Sequence, residues 1–525
     1  MNQKSSFRHR GILSVSEDAK FIFVEGETFK YGFSKSTGLI SSLKVLDNDF
    51  LQGTGSEIPD IYVSDAQFSE EALYAARYES EAECEILSAN PHEVHIRTHG
   101  VYHDLMGKAF PARYRITYEI ENDGTIFVIV DNKATDSCTI RWLCTSKGLL
   151  NSSLCSYFSH LEDQSTVDTT GNYIFKEIPS QRTSDVVLFN GKLIPWCWFG
   201  NDTTGVEILV WDIGYQRDGT TFLADKTNEQ AFEAGVDISA IAETDGVSWE
   251  IMSFKDTPMK VNSGWEYTSY FALSVMPPKH YEPALSNLSV YYNDPRQYKN
   301  TYLSDKEIEE IANKGFNLIV LAINGPGKLI PYDESEVKRV ISISHKYGMK
   351  VVPHISMMET SRELDIFDTY SIEWQIEPSN NNDNSTALMC PGAEGWREYW
   401  KEQVDKIIKG YDFDGVYLDL FYDRLACRNP LHGCQRRYMR PTFLWVREMI
   451  RHAWLKAKSK KSDSVIILST DLLPMSMICS WVDARCTGNP EDTRNIGKIT
   501  EKLFFSSQRL GCNSITCVDQ TQKND

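Results

Sequence analysis

The hydrophobic period changes once along this chain, at Pro277-Pro278, and that change restricts the available folds more than any other feature. Before it the period is two. Tyr114, Ile116, Tyr118 and Ile120 alternate with Arg113, Arg115, Thr117 and Glu119, the mark of a strand with one wet face. Similar short runs recur at 21–24, 29–33, 94–98, 125–131, 206–211, 248–254 and 267–275. Turn residues such as Asn122-Asp123-Gly124, Asn190-Gly191 and Asn201-Asp202 separate them, and no long amphipathic helix interrupts the series. This pattern predicts an antiparallel β-sandwich over residues 1–280.

Beyond Pro278 apolar strand-like runs alternate with helical periods. Strands are predicted at 289–294, 317–323, 350–356, 415–421, 464–471, 481–486 and 514–519. Helices are predicted at 304–314, 334–347, 394–410, 440–459 and 491–510, the first capped by Ser304-Asp305. Such alternation means parallel βαβ units, and the near-continuous apolar strands LIVLAI and VIILST read as buried on both faces. Residues 281–525 are therefore expected to form a TIM-like (β/α)8 barrel, making the chain multi-domain. Seven strands can be counted rather than eight, so either one escapes the pattern or the barrel is incomplete. The loop 357–390, with its run Asn380-Asn381-Asn382-Asp383-Asn384, follows the third strand and has the length of a functional lid or a disordered segment.

Composition narrows the partners. A net charge of −19 over 525 residues repels phosphate backbones, so no nucleic-acid partner is expected. No apolar run is long enough to cross a membrane, and the first twenty residues carry no apolar segment of the secretory kind. The twelve cysteines are irregularly spaced, and Cys138, Cys144, Cys197 and Cys517 lie within apolar strands. They fit buried thiols in a reducing compartment, and a cytoplasmic location is expected.

Barrel enzymes place their chemistry at the C-terminal ends of strands. His354 ends VVPHIS, Asp419 lies toward the end of GVYLDLF, Asp471 ends VIILSTD, Asp483 lies in WVDARC and Asp519 ends SITCVD. Any one of these could cap a helix or pair with a neighbouring charge; five of seven strands ending this way points to a site. Hydrolysis of a glycosidic bond needs two carboxyl groups flanking it, and strands across a barrel mouth can supply them. The expected assignment is Asp419 as nucleophile or charge stabiliser and Glu491 as general acid, with Asp483 and Asp471 in reserve. His354, Asp423, Asn429, His432 and Asp519 would bind sugar hydroxyls. Cys427, His432 and Cys434 fall within a short stretch, yet no fourth ligand is evident, so no metal is expected. No Gly-rich phosphate loop follows a strand, so no organic cofactor is implied.

The runs LMCPGAEGWREYW, YDFDGVYLD, CRNPLHGC and VDARCTG, with GFSKSTGLISSL and PWCWFGNDTTGVEILV nearer the N-terminus, resemble uncharacterised glycoside hydrolases with a mutarotase-like sandwich ahead of a (β/α)-barrel. The nearest characterised group is glycoside hydrolase family 123, together with its uncharacterised neighbours. The resemblance implies a carbohydrate substrate and a barrel-mouth site. Family 123 is similar to substrate-assisted hexosaminidases and uses an adjacent Asp-Glu pair, whereas here Asp419 stands between Leu418 and Leu420. That departure puts an ordinary two-carboxylate mechanism at least level with the substrate-assisted one. Two other readings stay open: a non-catalytic glycan-binding protein with a decayed barrel, and a metal-assisted barrel enzyme of another class. The sequence leaves the sugar, the stereochemical outcome and the oligomeric state open.

Overall fold

The structure is a computed structural model that describes residues 11–65, 73–151, 154, 156–161, 172–178, 184–192, 196–210, 237–254, 258–282, 285, 287–293, 302–324, 328, 331–376, 385–419, 429, 431, 443–469, 475–486, 512–515 and 517–519. It divides into two compact units, Met1–His280 and Tyr281–Asp525.

Among the described residues the first unit is antiparallel throughout. A five-stranded sheet over residues 14–49 faces a fifteen-stranded one, and both contribute side chains to one core. Phe33 from the smaller sheet meets Tyr118 from the larger edge to face, with ring centroids 4.9 Å apart. The alternation predicted around Tyr118 is observed in the strand Ala109–Glu121, where Tyr114, Ile116, Tyr118 and Ile120 are buried and the residues between them reach solvent. Its partner Ile126–Ala134 is joined through a turn that needs glycine. Gly124 has φ +83°, and a Cβ there would lie 2.5 Å from Val275. Cys84, Cys138, Cys144 and Cys197 are free thiols in this unit. Burial pushes each of them up from its ordinary range, which makes them poor nucleophiles.

The second unit is built on parallel strands: β1 (Val290–Asn293), β2 (Leu318–Leu321), β3 (Lys350–Ser356), β4 (Gly415–Asp419), β5 (Val465–Ser469), β6 (Ala484–Cys486), β7 (Asn513–Ile515) and β8 (Cys517–Asp519). Each pairs with the next in that order from β1 to β7, and β8 returns to pair with β1. Residue 516 alone separates β7 from β8, so one stretch of chain joins both ends of the circuit. Among the described residues the eight segments thus make seven staves, the number of strands that the sequence pattern predicts. Among the described residues six helices accompany them: α1 (Asp305–Asn313), α2 (Glu334–Lys346), α3 (Asp365–Trp374), α4 (Glu394–Gly410), α5 (Phe443–Lys460) and the single turn α6 (Ser476–Cys479). The predicted helix 491–510 lies outside the described residues.

Alternate residues of these strands fill the barrel. Val290, Leu318, Val320, Val352, Tyr417, Val465, Ile467, Ala484, Cys486 and Ile515 form one cluster, with Leu285 and Leu288 against it. The N-terminal rim is tied by a repeated device, in which a polar residue just ahead of one strand accepts an amide N–H from the start of its neighbour. Asn317 accepts from Ser289 at 2.9 Å, Asp414 from Val351 at 2.8 Å and Asp483 from Ile466 at 2.9 Å. These rim N–H groups precede or begin the ladder and would otherwise be unpaired by it.

Candidate active site

Parity decides what reaches the barrel mouth. Side chains two apart in a strand share a face. Counting outward from the core positions Val290, Val352, Tyr417 and Ile467 therefore brings Tyr292, His354, Ser356, Asp419 and Ser469 inward at the C-terminal ends of β1, β3, β4 and β5.

Three of these are rings. His354 lies 5.7 Å from Tyr417, tilted by 32°, and 5.8 Å from Tyr292 at 90°. Tyr292 and Tyr417 complete the triangle at 6.1 Å. One pleat further out, the Asp419 carboxylate accepts a hydrogen bond from His354 Nε2 at 2.9 Å. The side chain of Asp419 is 28% exposed and that of His354 15%, so the carboxylate stands nearer the solvent than the imidazole.

The backbone around the pair is fixed by α4. Trp396 and Trp400 are one helical turn apart and both buried. Their indole N–H groups donate to the carbonyls of Met357 (3.2 Å) and Ser356 (2.9 Å), the end of β3. Met357 N–H donates in turn to the Asp419 carbonyl at 2.9 Å, and Ser356 Oγ accepts from Glu359 N–H at 3.0 Å. The sequence motif GWREYW thus supplies two pins for the turn beside the carboxylate.

The other expected site residues divide into three groups. Asp483 was expected at a strand's outer end; it precedes β6 instead, at the opposite rim, where Lys458 Nζ lies 2.8 Å from it. Asn429 is fully buried, and its amide donates to the carbonyls of Ile372, Glu373 and Gln375 at the C-terminus of α3, while its oxygen accepts from Leu431 N–H. It braces a helix end rather than facing the mouth. Asp519 ends β8, two strands from β2 and beside Tyr292 in register, and its side chain lies outside the described residues. Asp423, His432, Asp471 and Glu491 lie outside them too, as do Cys427 and Cys434. Tyr292, Ser356 and Ser469 were missed, although counting by two from the buried strand centres would have found them.

The arrangement is that of a sandwich unit followed by a parallel barrel unit with an inward carboxylate at its mouth. No family model matches the chain. An uncharacterised protein of Methanocaldococcus jannaschii is 30% identical over 142 residues, 26% of this chain and 39% of that protein. The aligned stretch thus spans well under half the length of that relative. Among solved structures, the galactosidase domain of an α-galactosidase–sucrose kinase is similar with a TM-score of 0.44 and 11% identity, covering 90% of this chain and 74% of that one. A family 36 α-galactosidase of Geobacillus stearothermophilus gives 0.42 and 8%, covering 90% and 75%. An α-N-acetylgalactosaminidase of Bifidobacterium bifidum gives 0.34 and 11%, covering 94% and 85%. Likenesses of this size assign no activity to this chain.

Proposed function

We propose that this chain is a glycoside hydrolase whose barrel mouth holds the reacting carboxylate, Asp419. The observation that carries the reading is the inward, partly exposed carboxylate of Asp419 at the end of β4, above a layer of rings from Tyr292, His354 and Tyr417. Held by His354 yet open to solvent, that carboxylate is placed where a substrate entering the mouth would meet it. It is also where negative charge would stabilise an oxocarbenium-like transition state. Aromatic faces beside it suit the apolar face of a sugar ring. Glu491 is the proposed general acid, with Asp471 the alternative; Asp483, tied at the opposite rim, leaves the catalytic set. In the hydrolysis, one carboxyl group protonates the departing glycosidic oxygen. Asp419 attacks or shields the anomeric carbon, and water completes the cleavage.

The test is a panel of aryl α- and β-glycosides and oligosaccharides incubated with the wild-type chain and with Asp419→Asn. The substitution keeps the shape and removes the charge. Turnover by the wild type is expected on at least one glycoside, and Asp419→Asn is expected to lower it roughly a thousandfold or more while the melting temperature holds. Full specific activity in a folded Asp419→Asn protein would remove Asp419 from the chemistry. Glycan binding by the wild type with no turnover anywhere in the panel would support a binding protein instead.

A further inference from the structure

We infer that His354 is a positioning residue that holds the Asp419 carboxylate in its reacting orientation, and is not itself a ligand for the sugar. The inference rests on the reading of Asp419 as the reacting carboxylate and deepens it.

Three observations combine. First, the imidazole has little freedom to turn, since Tyr417 lies obliquely against it and Tyr292 meets it at a right angle. Second, the nitrogen directed outward is already engaged, since His354 Nε2 donates to Asp419 Oδ2 at 2.9 Å. A hydrogen bond to an ionised acceptor is about twice as strong as a neutral one, so a hydroxyl arriving from the mouth competes poorly for that proton. Third, His354 is less exposed than Asp419, 15% against 28%, so a substrate entering at the mouth meets the carboxylate first. Register agrees with this stacking, because His354 sits opposite Tyr417, whereas Asp419 lies two residues further along β4 and opposite Ser356. The ring therefore stands behind the carboxylate. Its donor fixes one oxygen and thereby the plane of the group, and a small misplacement of a reacting group costs about a hundredfold in rate.

The test uses the full chain with His354→Leu, His354→Gln and His354→Asn. Leucine removes the donor at similar volume. The amide nitrogen of glutamine reaches about as far as Nε2, and that of asparagine falls short. On a glycoside turned over by the wild type, H354L and H354N are expected to lose about a hundredfold in kcat with KM little changed, and H354Q to recover most of that loss. A crystal structure of H354L or H354N is expected to show the Asp419 carboxylate rotated from its wild-type plane. That arm needs no substrate, and either variant serves if the other fails to fold. A raised KM with unchanged kcat in H354L would make His354 a sugar ligand and overturn the inference, as would an unmoved Asp419 in either crystal structure. Loss of the underlying reading looks different: there Asp419→Asn itself would remain active.

Discussion

Asp414 answers three donors from three separate stretches of chain. Its carboxylate accepts Val351 N–H at 2.8 Å, His345 Nε2 at 2.7 Å and Lys461 Nζ at 2.9 Å, and the residue is 7% exposed. Removing it would leave the buried Val351 amide and His345 Nε2 without this acceptor, while Lys461 would keep only Asp412. Asp414→Ala is therefore expected to destabilise the chain by about 2–4 kcal/mol in denaturant titration. Turnover per folded molecule should hold, because Asp414 and Asp419 lie at opposite ends of β4. An equal loss of kcat in the folded fraction would contradict that division. The pair also shows what residue-scale reading can and cannot reach. In DFDGVYLD the sequence marks an acidic residue at each end of an apolar run, and hydrophobicity is symmetric about the run's centre. The rim on which an acid falls depends on where pairing begins in a distant strand. For Asp483 that partner is Ile466 in β5. Asp419 lies toward the C-terminal end of its predicted strand and so falls at the mouth, whereas Asp483 sits ahead of the part of its run that forms β6.

At the scale of elements, long amphipathic helices and buried strands were legible and short, locally satisfied pieces were not. The predicted helix 394–410 is observed as α4, and the strand 350–356 as β3. The segment 357–390 read as a loop, yet it contains α3 and an antiparallel pair, Glu359–Ser361 with Thr386–Leu388. The helix buries only Phe367, Ser371 and Trp374, too few positions to stamp a period on its sequence. Part of what ends it comes from afar. Its N-terminus has no side-chain cap, and the carbonyls of Ile372 and Glu373 are met by Asn429, more than fifty residues on. Asn429→Ala is expected to cost about 2 kcal/mol of stability and to raise hydrogen exchange across Asp365–Trp374 selectively. KM for a glycoside should stay put. A rise in KM with exchange unchanged would return Asn429 to the sugar-binding role that its position in CRNPLHGC first suggested.

At the scale of the whole molecule, the two units hold their carboxylates in opposite ways. In the barrel unit, Glu336, Glu363, Glu398, Asp412 and Asp463 are held below their ordinary range by Arg339, Lys328, Lys401, Lys461 and Lys350 respectively. In the sandwich unit, burial pushes Glu57, Asp60 and Glu119 up, although Asp18 is held low by the amides of Lys20 and Phe21. Glu79 is low as well: burial opposes this, and the amides of Glu81, Val101 and Ser80 outweigh it. The two signs act differently in acid. A carboxyl whose folded value is depressed contributes stability above the ordinary values of 3.8 and 4.5, and loses it as the pH falls through the lower folded value. A carboxyl whose folded value is raised takes up its proton earlier in the folded state, so the sandwich regains stability as the pH falls toward those same ordinary values. Net charge does not reverse this order, because the −19 of the whole chain is neutralised on the way to the pI of 5.1, above the window concerned. The barrel is therefore expected to open first in acid. Hydrogen exchange followed by mass spectrometry at about pH 3 should show Val465–Ser469 losing protection while Ile126–Ala134 keeps it. The carboxylate of each barrel pair is exposed, so the separation rests on their number and should shrink in high salt. Simultaneous loss of protection in both strands, or loss in the sandwich first, would show that these carboxylates do not set the acid limit of the fold.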